Sequence, residues 1–298
     1  MADTRATNGG QDAIGVVGAG TMGSGIAVVA LRAGFPTWVC ETDAENLDAG
    51  IGRIRAFLDG SVRRGKITAA ERDEMLTRLH GTTVLEDLAS CRYVIEAVYE
   101  DVEVKRALFR RLHAVAAPDA LFLTNTSTLS VTSIAASTGH EERVVGMHFC
   151  NPAPLMALVE ISPGLRTSPA ALEEAQALAG RLGKTYVVTH DTPGFILNYF
   201  LIPFENDCIR ALEEGLASVE DIDRAVKLGL GYPMGTFELL DTVGLDVHYA
   251  VSMRLYEQLH DPRFAPPPLV RRMIDANRLG RKTGHGFYRY EKGRVFGA

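Results

Sequence analysis

Residues 13–34 read AIGVVGAGTMGSGIAVVALRAG. The stretch opens on a short apolar run, Ile14 to Val17. It passes through Gly18-Ala19-Gly20-Thr21-Met22-Gly23 and continues rich in Ala, Val and Leu. A GxGxxG pattern alone matches many loops, but between a strand and a helix it reads as a phosphate-binding turn. Gly18 permits the tight turn, Gly20 lets the backbone approach a pyrophosphate, and Gly23 allows helix and strand to pack closely. The helix start, with Thr21 and Met22, offers unpaired N–H groups and a positive dipole end to phosphate. A second strand, TWVCE, ends at Glu41. A carboxylate there accepts ribose hydroxyls and repels a 2′-phosphate, and no Arg follows it directly, which favours NAD over NADP. The plainer alternative is a structural strand–helix–strand unit with coincidental glycines.

Working outward, further strand-like runs are YVIEAV (93–98), LFLT (121–124), VVGMHF (144–149), ALVEI (157–161) and TYVVT (185–189), with helical patterns such as VEVKRALFRRLHAVA between several of them. Strands alternating with helices predict an α/β fold with a Rossmann-type doubly wound sheet, whose ligands sit beyond the carboxyl ends of the strands. Asn125 and Ser127 follow LFLT, Glu100 follows YVIEAV, and His148 and Asn151 stand at the end of VVGMHF. Each is an ordinary loop residue taken alone. Together they gather at the rim where the dinucleotide lies. Glu160, in ALVEI, is a carboxylate in an apolar run and needs a partner.

A chain of 298 residues suggests two domains. A boundary falls near THDTPGF. We expect a disordered lead-in at 1–12, a dinucleotide-binding domain at 13–191 and an all-helical domain at 192–298 that opens with ILNYFLIPFENDCIRALEEG. Ser218 and Asp221 resemble a capping box in that half. Asn198 either caps its helix locally or projects into the cleft. The net charge is −6, from 31 basic and 37 acidic residues, which argues against nucleic acid as partner. No apolar run is long enough for a membrane span. The four cysteines show no metal-binding spacing, so no metal is expected, and reduced thiols in the cytoplasm are.

The stretches GVVGAGTMGSGIA, VIEAVYEDVEVKRALF, NTSTLSV, GMHFCNP, LVEI, DTPGFILN, GLGYPMGTFELLDTVGLDV and LGRKTGHGFYRY run in order through the chain. In them the sequence resembles the L-3-hydroxyacyl-CoA dehydrogenases, most of all the short bacterial 3-hydroxybutyryl-CoA dehydrogenases. The resemblance implies a short-chain acyl-CoA thioester as substrate, NAD as cofactor and a homodimer formed through the helical domain. It makes His148 the general base and Glu160 its orienting partner. Ser127 and Asn198 would contact the substrate oxygen, and Glu41, Glu100, Lys105, Asn151 and Lys282 would touch or border NAD. The chemistry agrees. Imidazole titrates near neutral pH and suits transfer of the hydroxyl proton, a carboxylate on its other nitrogen fixes the tautomer, and hydroxyl and amide donors stabilise charge on the ketone oxygen.

The segment RIRAFLDGSVRRGKITAAE resembles the family region that meets CoA, so Arg53, Arg64 and Lys66 could bind its phosphates or line a solvated helix face. Cys150 stands where the family usually has Phe, Ala157 where Lys or Pro is common, Thr128 where Ser is common and Tyr199 where Arg is frequent. Four other readings stay open. The same chemistry could act on an acyl group held by a carrier protein or on a specialised substrate. Cys150 and His148, at i and i+2, could form a thiol nucleophile pair. The 2-methyl-3-hydroxyacid type of dehydrogenase shares the first domain but needs a catalytic Lys that DTPGFILNYF lacks. Finally, the scaffold could bind NAD without catalysis.

Overall fold

The computed structural model describes residues 12–136, 138–291 and 294–297. The expected lead-in lies outside the described residues except for Asp12, whose carboxylate pairs with Arg181 at 2.8 Å. The chain divides between Phe195 and Ile196 into two compact units.

The first unit runs β1 (Ile14–Val17), α1 (Thr21–Arg32), β2 (Thr37–Cys40), α2 (Ala44–Arg63), α3 (Ala69–Thr77), β3 (Leu79–Thr82), β4 (Tyr93–Glu96), α4 (Val102–Val115), β5 (Leu121–Thr124), α5 (Val131–Ala135), β6 (Val144–Phe149), β7 (Leu158–Pro163), α6 (Pro169–Arg181) and β8 (Thr185–Val188). Its eight strands form one sheet in the order β3-β2-β1-β4-β5-β6-β7-β8. The first six in chain order pair in parallel. β7 then turns back antiparallel to β6, and β8 runs parallel to β7. The parallel strands deliver Glu41, Glu100, Asn125 and His148 to one rim, because each lies at or beyond a carboxyl end.

Side chains alternate between the two faces of a strand, and the core follows that alternation. Ile14, Val16, Ile95, Leu123, Val145 and Met147 join one buried cluster. Val17, Val94, Phe122 and Val144 join another with Phe109 of α4 and Ile134 of α5. The same alternation puts Glu96, Thr124, His148 and Glu160 on the face of the second cluster. Glu96 and Thr124 are register partners there, and His148 and Glu160 form a second polar pair two residues further along β6.

The second unit comprises α7 (Leu197–Glu213), α8 (Val219–Gly229), α9 (Thr236–Val243), α10 (Leu245–Leu259), α11 (Pro268–Asp275) and a short antiparallel pair, β9 (Arg289–Glu291) and β10 (Arg294–Gly297). The unit is helical apart from that strand pair, which the sequence reading did not anticipate. Two buried aspartates stitch it together. Asp223 accepts from Phe237 N (2.8 Å), Glu238 N (3.1 Å) and the Tyr288 hydroxyl (3.0 Å). Asp241 accepts from Phe287 N (2.9 Å), Tyr288 N (2.8 Å) and the Tyr290 hydroxyl (3.0 Å). The motifs FELLD and GHGFYRY therefore serve the packing of this unit. Ser218 caps α8 by accepting from Asp221 N at 3.2 Å.

Candidate active site

The turn from β1 into α1 is built to receive a pyrophosphate. Gly18 adopts φ +93°, and a Cβ there would lie 2.6 Å from the Ala97 carbonyl oxygen. A Cβ on Gly23 would lie 1.7 Å from the Gly18 oxygen, so only glycine lets α1 start this close to the strand. At Gly20 a Cβ would meet nothing within 4 Å, so this position faces open space. Gly20 is the N-cap of α1 and no side chain caps the helix. The first-turn amides, Thr21 and Met22 among them, are left for an anion. Glu41 leans on the same turn, and its Oε1 accepts from Ala19 N at 2.7 Å. Glycines, free helix start and carboxylate fit an NAD dinucleotide.

Twelve residues separate His148 from Glu160, and the β6–β7 pairing sets them directly opposite each other. Cross-strand neighbours on one face are in contact range, and His148 Nδ1 lies 2.8 Å from Glu160 Oε2. Glu160 is fully buried, while His148 keeps 8% of its surface exposed. The Phe195 ring packs on the imidazole at a centroid distance of 5.7 Å. Nδ1 is thus engaged, and Nε2 has no hydrogen-bond partner among the described residues. The second unit holds another buried pair, His248 Nδ1 and Glu205 at 3.0 Å, but there Nε2 is spent on Asn206 Oδ1 at 3.0 Å. His148 alone of the two can exchange a proton with a ligand through Nε2.

Ser127 and Asn125 sit on the loop after β5. Asn125 Oδ1 accepts from Phe149 N at 2.8 Å, which ties the loop to the strand of His148. Glu100 Oε1 accepts from the Thr126 hydroxyl (2.7 Å), Ser127 N (2.8 Å), Thr128 N (2.9 Å) and the Thr128 hydroxyl (3.1 Å), with the Ser127 hydroxyl at 3.4 Å. Burial alone would push the Glu100 carboxyl up. Lys105 and the loop donors outweigh it and hold the group down at about 2. The resemblance sets Lys105 beside NAD, but its Nζ is enclosed, 2.6 Å from Glu96 and 3.2 Å from Glu100, with 1% of the side chain exposed.

Other predicted residues take these places. Arg53 Nη2 donates to the Ala19 carbonyl at 2.7 Å, which puts it on the dinucleotide turn and not beside Arg64. Arg64 ends α2 about 16 Å further along the axis, at 1.5 Å per residue. Lys66 follows it in an exposed turn. Asn151 is exposed in the β6–β7 connection and its bond to Pro152 is cis. In the second unit, Asn198 lies in the first turn of α7, and Lys282 Nζ pairs with Asp246 at 2.6 Å. Burial, followed by Glu160, pushes the Cys150 thiol up to about 11. It is a thiol and no nucleophile at neutral pH.

Sequence reading missed Glu96, Arg32, Lys184 and Asp191. Arg32 reaches the Pro154 carbonyl at 3.3 Å and Ser61 Oγ at 3.4 Å. Burial and the neighbouring Arg64 guanidinium lower its pKa, while burial and Arg32 lower that of Lys184. Arg32 thus stands between Arg64 and Lys184 in its electrostatic influence, and none of the three pairs with a carboxylate among the described residues. Asp191 accepts from Val131 N and Thr132 N, both at 2.7 Å, and so anchors the start of α5. Only Glu96 carried a signal, an acid inside an apolar strand.

Residues 13–192 match the NAD-binding domain of 3-hydroxyacyl-CoA dehydrogenase, and residues 194–290 match its C-terminal domain. The chain belongs to the 3-hydroxyacyl-CoA dehydrogenase family. It is an NAD-dependent oxidoreductase. A 3-hydroxybutyryl-CoA dehydrogenase of Mycobacterium tuberculosis is 44% identical over 93% of this chain and 98% of that protein. The 3-hydroxyadipyl-CoA dehydrogenase of Escherichia coli K12 is 42% identical over 95% of this chain and 60% of that protein. Among solved structures, (S)-3-hydroxybutyryl-CoA dehydrogenase PaaH1 of Ralstonia eutropha superposes with a TM-score of 0.89, at 38% identity over 95% of this chain and all of that one. No helix among the described residues of this dehydrogenase is long and apolar enough to cross a membrane.

Proposed function

We propose that this dehydrogenase interconverts short-chain (S)-3-hydroxyacyl-CoA and 3-oxoacyl-CoA, with 3-hydroxybutyryl-CoA as its substrate. The observation that carries the reading is the 2.8 Å contact of His148 Nδ1 with the buried Glu160, which leaves Nε2 available. In oxidation, Nε2 takes the proton of the 3-hydroxyl. Glu160 holds the ring and stabilises the imidazolium that forms. In reduction the same nitrogen returns the proton. Ser127 and Asn198 donate to the carbonyl oxygen as negative charge develops on it. NAD, when bound, accepts or supplies the hydride, and the glycine turn, Glu41 and Asn151 hold and orient it. Arg32, Arg64 and Lys184 offer clustered positive charge to the phosphates of CoA. The same proposal includes a cytoplasmic homodimer formed through the second unit.

The test is consumption of NADH with acetoacetyl-CoA, with NADPH in parallel. We expect rapid NADH-dependent turnover and a much slower reaction with NADPH. Absence of turnover with acetoacetyl-CoA, with NADH still binding, would refute the assignment of a free short-chain CoA thioester.

A further inference from the structure

In the second unit, buried polar groups converge on residues 261–265. Asp261 caps the short helical turn Pro262–Phe264 and holds the Arg263 guanidinium at 2.9 and 2.7 Å. Three successive carbonyls of this segment are taken up by helices. Asn206 Nδ2 of α7 donates to the Arg263 oxygen (3.1 Å), Ser252 Oγ of α10 to the Phe264 oxygen (2.6 Å), and Arg210 Nη2 of α7 to the Ala265 oxygen (2.8 Å). Behind them Asn206 Nδ2 also donates to Ser252 Oγ (3.0 Å), and its Oδ1 lies 3.0 Å from His248 Nε2, whose ring is backed by Glu205. The segment is therefore fixed against α7 and α10.

Tyr199, Ile202, Asn206 and Arg210 stand at i, i+3, i+7 and i+11, so α7 turns one stripe toward this segment. At the N-terminal end of the stripe, the Tyr199 ring lies 5.7 Å from that of Phe264, which is fully buried. The Arg263 guanidinium sits 5.6 Å from the Tyr199 ring centroid, and its Nη2 donates to the Tyr199 hydroxyl at 3.3 Å. This anchor falls where the helix needs one. α7 starts at Leu197 with no side-chain cap, so Asn198 does not cap it, and uncapped helix ends fray. Asn198 precedes Tyr199 and is turned about 100° off the stripe, so it stands beside the seam and not in it.

We propose that Tyr199, Arg263 and Phe264 are positioning residues that hold the first turn of α7 and so aim the Asn198 amide at the substrate oxygen, without touching substrate or NAD. This rests on the reading of Asn198 as a substrate-oxygen partner.

The test compares Tyr199→Ala, Asn198→Ala and the double variant in NADH-dependent reduction of acetoacetyl-CoA. NADH affinity is measured separately by fluorescence. Tyr199→Ala is expected to lower kcat roughly 10- to 100-fold, as a misplaced donor does. Its NADH Kd should stay within about threefold of wild type, since no cofactor contact is lost. The double variant should be no slower than the slower single one, because both changes disable one device. Tyr199→Phe keeps the ring on Phe264 and loses only the hydrogen bond from Arg263, and it should recover kcat to within about fivefold of wild type. Tyr199→Ala at wild-type kcat, with Asn198→Ala impaired, would overturn the proposal and leave the reading of Asn198 standing. A double variant whose loss is the product of the two single losses would also overturn it, since Tyr199 would then act apart from Asn198. Asn198→Ala at wild-type kcat would overturn the reading of Asn198 itself, so the two failures are distinguishable. Arg263→Gln, an exposed change, should show the same coupling to Asn198→Ala in smaller measure and carries the test if Tyr199→Ala does not fold.

Discussion

Ala19 is the residue on which cofactor choice turns. Its amide donates to Glu41 Oε1 at 2.7 Å and its carbonyl accepts from Arg53 Nη2 at 2.7 Å. An acid and a base thus meet at one residue of the dinucleotide turn. The acid rejects a 2′-phosphate by repulsion and by offering only acceptors. Removing it leaves Arg53 as the charged side chain bonded to Ala19. Glu41→Ala should therefore shift the ratio of kcat/KM for NADH over NADPH toward NADPH by about tenfold or more, a change of roughly 1.4 kcal/mol. An unchanged ratio in steady-state kinetics would show that Glu41 does not select the cofactor.

The loop after β5 shows how one side chain orders an element. Glu100 is held at about 2 in the folded protein against an ordinary 4.5. A depressed folded pKa contributes stability that is complete above the ordinary value and disappears as pH falls toward the folded one. The difference corresponds to about 3 kcal/mol. Glu100→Gln should thus be less stable than wild type near neutral pH, with the gap closing between pH 4.5 and about 2. Urea unfolding at stepped pH measures it, and a gap independent of pH would contradict the account. Much of this element-level picture was legible in the sequence. β5 and β6 were read with their observed limits, the glycine turn and Glu41 follow from spacing, and the His148–Glu160 pair came from the family resemblance. β3 was not read. LHGT has a glycine, two exposed positions and no run of apolar residues, because it lies at the sheet edge. The reversal at β7 was also hidden, since ALVEI looks alike in either direction. The Glu96–Lys105–Glu100 cluster escaped because a lysine four positions into an amphipathic helix looks solvated until its helix is docked. The contact of Arg53 with the Ala19 carbonyl was not foreseen for a related reason. Helical phase alone could not tell which end of α2 approaches the glycine turn.

At the scale of the molecule, the second unit leaves Phe200 (68%), Leu216 (77%), Leu228 (81%) and Leu230 (58%) exposed. The proposed homodimer would cover part of this apolar surface. Sedimentation equilibrium should give twice the chain mass of 32.3 kDa, and Leu228→Asp should shift the balance toward monomer. A monomer at all concentrations would contradict the proposed homodimer. The net charge of −6 makes the clustered cations Arg32, Arg64 and Lys184 a local exception, suited to a polyanionic CoA moiety in an otherwise acidic protein. The whole account converges on one proton at His148 Nε2. The most direct measurement is kcat for acetoacetyl-CoA reduction by His148→Ala, together with its NADH Kd by fluorescence. Loss of general acid–base catalysis should lower kcat by roughly 10²- to 10⁴-fold while NADH binds as before. Turnover within a few-fold of wild type in a folded, NADH-binding variant would contradict it.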